Sequence, residues 1–566
     1  MTESVADASE RRRRGRHERL VFAAAFLTRL VYLASARPAF AGGVYWALSD
    51  GLLRDHSLAI AGQRTTDYEP LYPLFLAVCR TMAFDRPFVV QLLQVAVASL
   101  AAVVVYRLAL ALADDVRIAA LAGVLCAIDP LLVHESALLS ESAIATVALA
   151  AFAARTTTMR TAGDAAISGA WLGLAALARA AAVPVLPLVA TIVIRTRGVR
   201  LMAVMTSVVL LVVAPAAFRN HAVNGSWLPT RGGMNLFVGN SLYSAALIPE
   251  DDVDLLQPYA HEVVARSTDI SPDSVEYERV ADEILTRKAL SFMREAPLQA
   301  LALKLRNVAD FFSPRIVPYR TALAGTTRAI IEPGGRVRVE HAQTRPPSAV
   351  AGYALWQSLL LAAAAVGVYR RRSVLARDRI LWCVAAAFVL VHALYFSATR
   401  YRAPVEFVLL FYAAAGLQPI AAAAAAFVRH GDRRLVLEAA ASLIVVRVLL
   451  WALPFASIAR MAAGRARHEQ RRARADEASR IGRILLAVSR RLPFGMTCLV
   501  EALAAQAMLR RRGCTSVLRF GVRSGKTGGR PIDAHAWLVC DGRVVVGGID
   551  ALRDYATLEA GKNCRS

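Results

Sequence analysis

The chain has 566 residues, 56% of them hydrophobic, with a mean hydropathy of +0.44. That excludes an ordinary water-soluble enzyme, whose apolar share is about 45–50%. The formal net charge of +24 does not point to nucleic acid, because the basic residues cluster at the ends of apolar runs without a base-stacking aromatic pattern.

Residues 1–19 read as a basic cytoplasmic N-terminus containing Arg11-Arg12-Arg13-Arg14. The apolar run after it lacks a small-residue cleavage site, so it reads as an uncleaved first span rather than a signal peptide. Runs of roughly 20 residues, enough to cross about 30 Å of hydrocarbon, recur to Val428. They predict a polytopic membrane domain over 20–428 with ten spans: 20–36, 89–113, 118–134, 139–154, 166–181, 183–195, 201–218, 347–368, 379–397 and 403–428. Basic clusters at 11–19, 155–160, 195–200, 369–372 and 429–434 then fall on one side, which the positive-inside bias makes cytoplasmic. Segments 37–88 and 219–346 become outer loops. Cys79, Cys126 and Cys383 lie in apolar runs and read as small buried hydrophobes, and no CxxC pair suggests a zinc site or disulfide framework.

Residues 429–480 read as a basic linker. Within it, 435–459 is apolar but carries Glu438 and Arg447 and precedes an arginine run at 460–474. Spanning would put that run outside, so a helix lying on the membrane or packing against the tail is preferred. Residues 481–566 read as a small cytoplasmic α+β domain. Helices are expected over 475–490 and 498–512, the second closed by Gly513. Strands are expected over 516–522, 533–540 and 543–549, the last two joined by an Asp541-Gly542 turn.

Cys498 opens the second of these helices, and His535 is the histidine of the strand-rich part. A helix N-terminus and a nearby imidazole both favour thiolate, so the pair has the chain order of a cysteine nucleophile and its base. With a two-residue hairpin loop, Cys540 faces Arg543, Trp537 faces Val546 and His535 faces Gly548. Asp550 then shares the face of His535 and becomes the first choice of orienting carboxylate, with Asp533 second and Asp541, at the turn, third. Cys514, Cys540 and Cys564 are poorer nucleophile candidates by position. Gly521 to Thr527 resembles a phosphate-binding loop, but it has three residues between its glycines and no room for a following helix.

Two resemblances follow. Residues about 435–562 resemble the leader-peptidase B protein of lasso peptide biosynthesis, of the transglutaminase-like superfamily. The matching pieces are Arg491-Leu492-Pro493-Phe494, Thr497-Cys498-Leu499 with Glu501-Ala502-Leu503, Leu509 to Gly513, Phe520-Gly521-Val522, Ala534-His535-Ala536-Trp537 with Asp541-Gly542-Arg543, and Tyr555 to Leu558. The resemblance implies a Cys-His-Asp peptidase without a cofactor. It would remove the leader from a ribosomal precursor peptide with a leader-recognition protein, before a lasso cyclase closes the ring. It often puts the aspartate nearer the hairpin, where this chain has Gly547-Gly548.

Residues about 20–428 are similar to polytopic glycosyltransferases of the GT-C fold that use polyprenyl-phosphate sugars. The pieces are Tyr68-Glu69-Pro70-Leu71-Tyr72-Pro73, Ser140-Glu141-Ser142, Asn235-Leu236-Phe237 with Gly239-Asn240, and Arg400 to Pro404. The similarity implies a sugar site at Glu69, with Asp67 or Asp50 as substitutes, a polyprenyl-phosphate sugar donor and a divalent metal. The acidic residue of that family after the first span is missing from Ala41-Gly42-Gly43-Val44-Tyr45.

The expected architecture is a multi-pass α-helical membrane domain of GT-C type followed by a small transglutaminase- or papain-like cysteine peptidase domain. Its expected place is the bacterial inner membrane. The leading reading is a membrane-tethered leader peptidase; the alternative is a membrane glycosyltransferase with an accessory tail. The sugar site would face outward and Cys498 inward, so one peptide would meet both only after crossing the bilayer.

Overall fold

The computed structural model describes residues 5–36, 43–321, 326–332, 336–427, 430–452, 475–490, 496–524, 532–547 and 556–558. The chain divides into two compact units, Met1–Pro419 and Ile420–Ser566.

The first unit is helical. It runs through α1 (Val5–Ala36), α2 (Gly43–Arg54), α3 (Leu71–Met82), α4 (Pro87–Ala113), α5 (Val116–Ile128), α6 (Pro130–Ala137), α7 (Ser142–Thr158), α8 (Ala162–Ala178), α9 (Val185–Arg197) and α10 (Val199–Asn224). A smaller body follows, built on α11 (Gly232–Gly239), α12 (Ser244–Leu247), α13 (Gln257–Ala265), α14 (Tyr277–Glu295) and α15 (Pro297–Phe311). Phe237, Leu256, Val264 and Leu285 form its core. The chain returns to the bundle through α16 (Pro347–Arg370), α17 (Arg379–Leu394) and α18 (Glu406–Phe427).

Among the described residues, six helices are long and apolar enough to cross a membrane: Arg12–Ala36, Pro87–Ala113, Ala180–Arg197, Val199–Asn224, Pro347–Arg370 and Thr399–Ala421. A seventh crossing would join α5 and α6, which bend by 49°. Asp129 makes this break: its carboxylate accepts from the Leu132 N–H at 2.9 Å, and Pro130 has no N–H to continue the ladder. This is a multi-pass membrane protein with fewer full-length spans than the ten expected from apolar runs. The runs at 139–154, 166–181 and 379–397 become α7, α8 and α17, of 17, 17 and 16 residues. At 1.5 Å per residue such helices reach only about 24–26 Å. Helix α7 buries Ala145, Ala148, Leu149, Phe152 and Ala153 and packs between α4 and α8. Its hydropathy reports burial against protein, which a run of apolar letters does not distinguish from burial in lipid.

Close packing and sealed charges hold the bundle. A Cβ at Gly367 would lie 1.8 Å from the Tyr412 carbonyl oxygen, and one at Gly416 would lie 2.1 Å from that of Ala363. Helices α16 and α18 therefore touch backbone to backbone. Buried Arg402 donates to Glu406 at 2.5 Å, to the Tyr353 hydroxyl at 2.6 Å and to the Phe311 carbonyl at 2.7 Å.

The second unit contains α19 (His430–Ala452), α20 (Ala475–Ser489) and α21 (Cys498–Arg510). Its strands are β1 (Val517–Ser524), β2 (Ile532–Cys540), β3 (Arg543–Val546) and β4 (Ala556–Leu558), forming an antiparallel sheet in the order β4-β1-β2-β3. One core joins Ala439 and Leu443 of α19, Ile481 and Leu485 of α20, Leu503 and Met508 of α21, and Leu538 and Val546 of the sheet. The described part of 435–459 thus packs against the tail helices. Glu438 accepts from Arg512 at 2.6 Å and from Arg511 at 3.4 Å, which explains a carboxylate in so apolar a stretch. Gly482 lets α20 approach the sheet, since a Cβ there would lie 2.3 Å from the Val545 carbonyl oxygen.

Candidate functional site

Cys498 is the first residue of α21. Thr497 caps it in an extended conformation, its hydroxyl accepting from the Val500 N–H at 3.4 Å. The half-buried thiol therefore sits at the N-terminus of the helix. In the same turn Glu501 accepts from the Ser489 hydroxyl at 2.5 Å, fastening α21 to the end of α20. Gly513, at φ +75°, closes the helix as its position suggested.

His535 lies on β2 opposite Gly521 of β1. Its ring centroid is 6.2 Å from that of Trp537, and its Nε2 is 2.8 Å from the Gly547 carbonyl oxygen. Helix α21 packs on β2, so the thiol-bearing helix and the imidazole-bearing strand are in contact. Leu538 and Cys540 join the core with that helix, whereas His535 belongs to the alternate set with Trp537. Cys514 and Cys540 are buried, and Cys540 Sγ donates to the Thr515 carbonyl at 3.2 Å. Cys564 lies outside the described residues.

The hairpin corrects the expected register. Its two-residue turn forms, with Asp541 at φ +48° and Gly542 at +75°, and Cys540 pairs with Arg543. Val539 pairs with Val544, but Leu538 pairs with Val546, not Trp537 as expected. Val545 is an extra residue in β3, a bulge that shifts the pairing by one at Leu538–Val546. Its carbonyl is the one that α20 approaches at Gly482. The expected register already departs at Val546, and the Gly548 and Asp550 on which the choice of carboxylate turned lie outside the described residues. Asp533 is on β2 opposite Arg523, and Asp541 is exposed at the turn.

In the first unit the structure separates the three carboxylates. Asp50 is taken by Arg80 at 2.6 Å, and that guanidinium also holds Asp85 and covers Trp46. Asp67 accepts from the Thr230 hydroxyl at 2.9 Å, and Glu278 accepts from Thr66 Oγ1 at the same distance. Burial, then the Glu278 charge, push the Asp67 carboxyl up to about 6. Glu69 accepts from the Ala180 N–H at 2.9 Å, and burial raises its carboxyl above the usual range. The neighbouring Arg179 pairs with Glu141 at 3.1 Å and lies 4.7 Å from the Tyr401 ring centroid. Glu69, Glu141 and Arg179 thus converge, with Tyr45 and Tyr401 beside them. Among the described residues no three His, Cys, Asp or Glu side chains gather as a metal-binding group.

Residues 440–560 match the transglutaminase-like superfamily. The tail is a transglutaminase-like domain. Comparison with curated proteins gives no match. Among solved structures the chain is similar to an oligosaccharyltransferase, AglB of Archaeoglobus fulgidus, in complex with an inhibitory peptide and a dolichol-phosphate. The identity is 12%, over 87% of this chain and 55% of that one, with a TM-score of 0.37. A second A. fulgidus oligosaccharyltransferase structure, with Zn and sulfate, gives 15% identity over 71% and 49%, with a TM-score of 0.39. The chain therefore spans about half the length of these proteins. ArnT from Cupriavidus metallidurans, bound to undecaprenyl phosphate, gives 14% identity over 71% and 77%, with a TM-score of 0.34.

Sequence reasoning did not single out Arg179 or Glu141 as site residues. The available signal was an arginine inside an apolar run, which the hydrocarbon tolerates only with a partner. For the transglutaminase-like domain it also passed over Gly547, treating the glycine pair as an empty position.

Proposed function

We propose that the transglutaminase-like domain is a cysteine peptidase that removes the leader from a lasso-type ribosomal precursor. The observation that carries this is Cys498 at the start of a capped helix packed on the strand of His535. The Cys498 thiolate adds to the carbonyl carbon of the leader–core amide. The C–N bond breaks as His535 gives its proton to the leaving amine, and the leader remains as a thioester on Cys498. Water, losing a proton to His535, cleaves the thioester and releases the leader carboxylate and the free thiol. The cycle needs no cofactor. The partners are a leader-recognition protein and a ring-closing cyclase, with the domain on the cytoplasmic face of a bacterial inner membrane.

The test uses the full chain in lipid nanodiscs with precursor peptide and recognition protein, cleavage being followed by mass spectrometry. Cys498→Ala is expected to lose about a thousandfold or more in rate, as removal of a nucleophile does. Equal cleavage by both forms would sink the proposal.

The convergence of Glu69, Glu141 and Arg179 favours a second reading, glycosyl transfer from a polyprenyl-phosphate sugar by the membrane unit. A raised carboxyl is suited to accepting the acceptor's proton, and the guanidinium to the phosphate leaving group. Labelled donor should transfer its sugar with wild-type protein and not with Glu69→Gln; undiminished transfer by the variant removes this reading.

A further inference from the structure

We infer that α15 is an interfacial helix, one face packed on protein and the opposite face lying in the headgroup layer of the bilayer. Its buried face holds Ala300, Leu303, Asn307, Asp310 and Phe311. Leu298, Leu301 and Leu305 are nevertheless 80%, 54% and 64% exposed, with Ala302 and Ala309 exposed beside them. At about 3.6 residues per turn these five share one stripe roughly 100° wide, the width of a face that meets an apolar layer.

Place and charge identify the bilayer as what covers this stripe. Lys304 Nζ donates to the Leu394 carbonyl at 2.8 Å, Asn307 donates to the Ala393 carbonyl at 3.1 Å, and the Phe311 and His392 rings stack at 5.8 Å. Two turns of α15 thus meet the last turn of α17, so the helix crosses the end of α17 instead of running along it. Leu390 and Leu394 of α17 are themselves exposed, the second at the residue that Lys304 grips. The stripe therefore adjoins the apolar outer surface of a bundle built to stand in lipid. From Pro297 to Ala309 the only charged residues are Lys304 and Arg306, one on each side of the stripe. No carboxylate there repels lipid phosphates. A helix of 15 residues reaches only about 22 Å, too short to cross, and the two cations keep it from the hydrocarbon centre. It lies along the surface. Lys304 also bonds to Asn240, and Arg306 donates to the Ala245 carbonyl at 3.3 Å. Helix α15 thereby moors the smaller body, α11 to α15, to the membrane.

Photocrosslinking of the full chain in nanodiscs of phosphatidylglycerol and phosphatidylcholine tests this. p-Benzoylphenylalanine replaces one residue at a time: Leu301 on the stripe, Leu355 on the spanning helix α16, or Val275 of the smaller body, just before α14. All three are more than half exposed, so the replacements leave the packed faces intact. After irradiation, phospholipid adducts are counted by mass spectrometry. Leu301→p-benzoylphenylalanine is expected to give adducts within about threefold of the Leu355 variant, and the Val275 variant about tenfold fewer or less. Adducts at Leu301 as scarce as at Val275 overturn the inference. A covalent dimer formed through Leu301 in place of lipid adducts assigns the stripe to a second copy of the chain and overturns it too.

Discussion

Arg402 and Glu406 of the bundle are 1% and 0% exposed, whereas Glu438 and Arg512 of the transglutaminase-like domain are 21% and 24% exposed. Both pairs have short, well-formed hydrogen bonds, yet they stand in different media. A lone charge left inside the bundle has no water to turn to, so the arginine and the glutamate are each indispensable to the other. A charge left at the domain's surface is rehydrated, and the pair adds only modestly to a core already closed by Leu443, Ile481, Leu503 and Leu538. The bundle depends on its charges for integrity. The domain leaves its integrity to apolar packing and keeps the Cys498 thiol half-buried rather than sealed.

The largest effect expected from this contrast is in the bundle. Arg402→Met should cost about 3–5 kcal/mol, read as a fall in the thermal midpoint of purified protein, and adding Glu406→Leu should recover most of it. A double variant no better than the single one would break the distinction. Glycine contacts should matter in both units alike. Gly367→Ala, against the Tyr412 carbonyl, and Gly482→Ala, against the Val545 carbonyl, should each cost about 1–3 kcal/mol. Thermal unfolding reports the first and limited proteolysis of the tail the second; unchanged proteolysis would mean that α20 does not need its close approach to β3. The smallest effect belongs to Glu438→Gln, about 0.5–1 kcal/mol at neutral pH. Hydrogen bonds from Arg512 hold the Glu438 carboxyl below its usual range. A carboxyl depressed in the folded state stabilises above its unfolded pKa, so the difference between wild type and variant should shrink below about pH 4.5 and vanish beneath the folded value. A difference that grows on acidification would assign the pair another role.

Much of the transglutaminase-like domain was legible because its signals are local. Thr497 before Cys498 is a cap followed by a helix, Gly513 is a stop, and Asp541-Gly542 is a turn whose two positive φ values those residues tolerate best. The register beyond the turn was not legible, since nothing in Val544-Val545-Val546 announces which valine bulges. The neighbouring helix, brought close by Gly482, stands against that valine. In the bundle the apolar runs were found, but the sequence does not say which of them face protein. The alanine faces of α7 made that choice when α4 and α8 closed on it.

By itself, then, the sequence determined the division into an apolar helical unit and a small α+β unit, the helix start that carries Cys498, and the strand that carries His535. These follow from hydropathy, capping and turn preferences, all set within a few residues of chain. Only the tertiary structure decided that Glu69 meets Arg179 and Glu141, that Asp50 belongs to Arg80, and that a bulge brings the Gly547 carbonyl to His535. Each depends on groups distant in sequence finding one another across packed elements, and no local preference encodes that meeting.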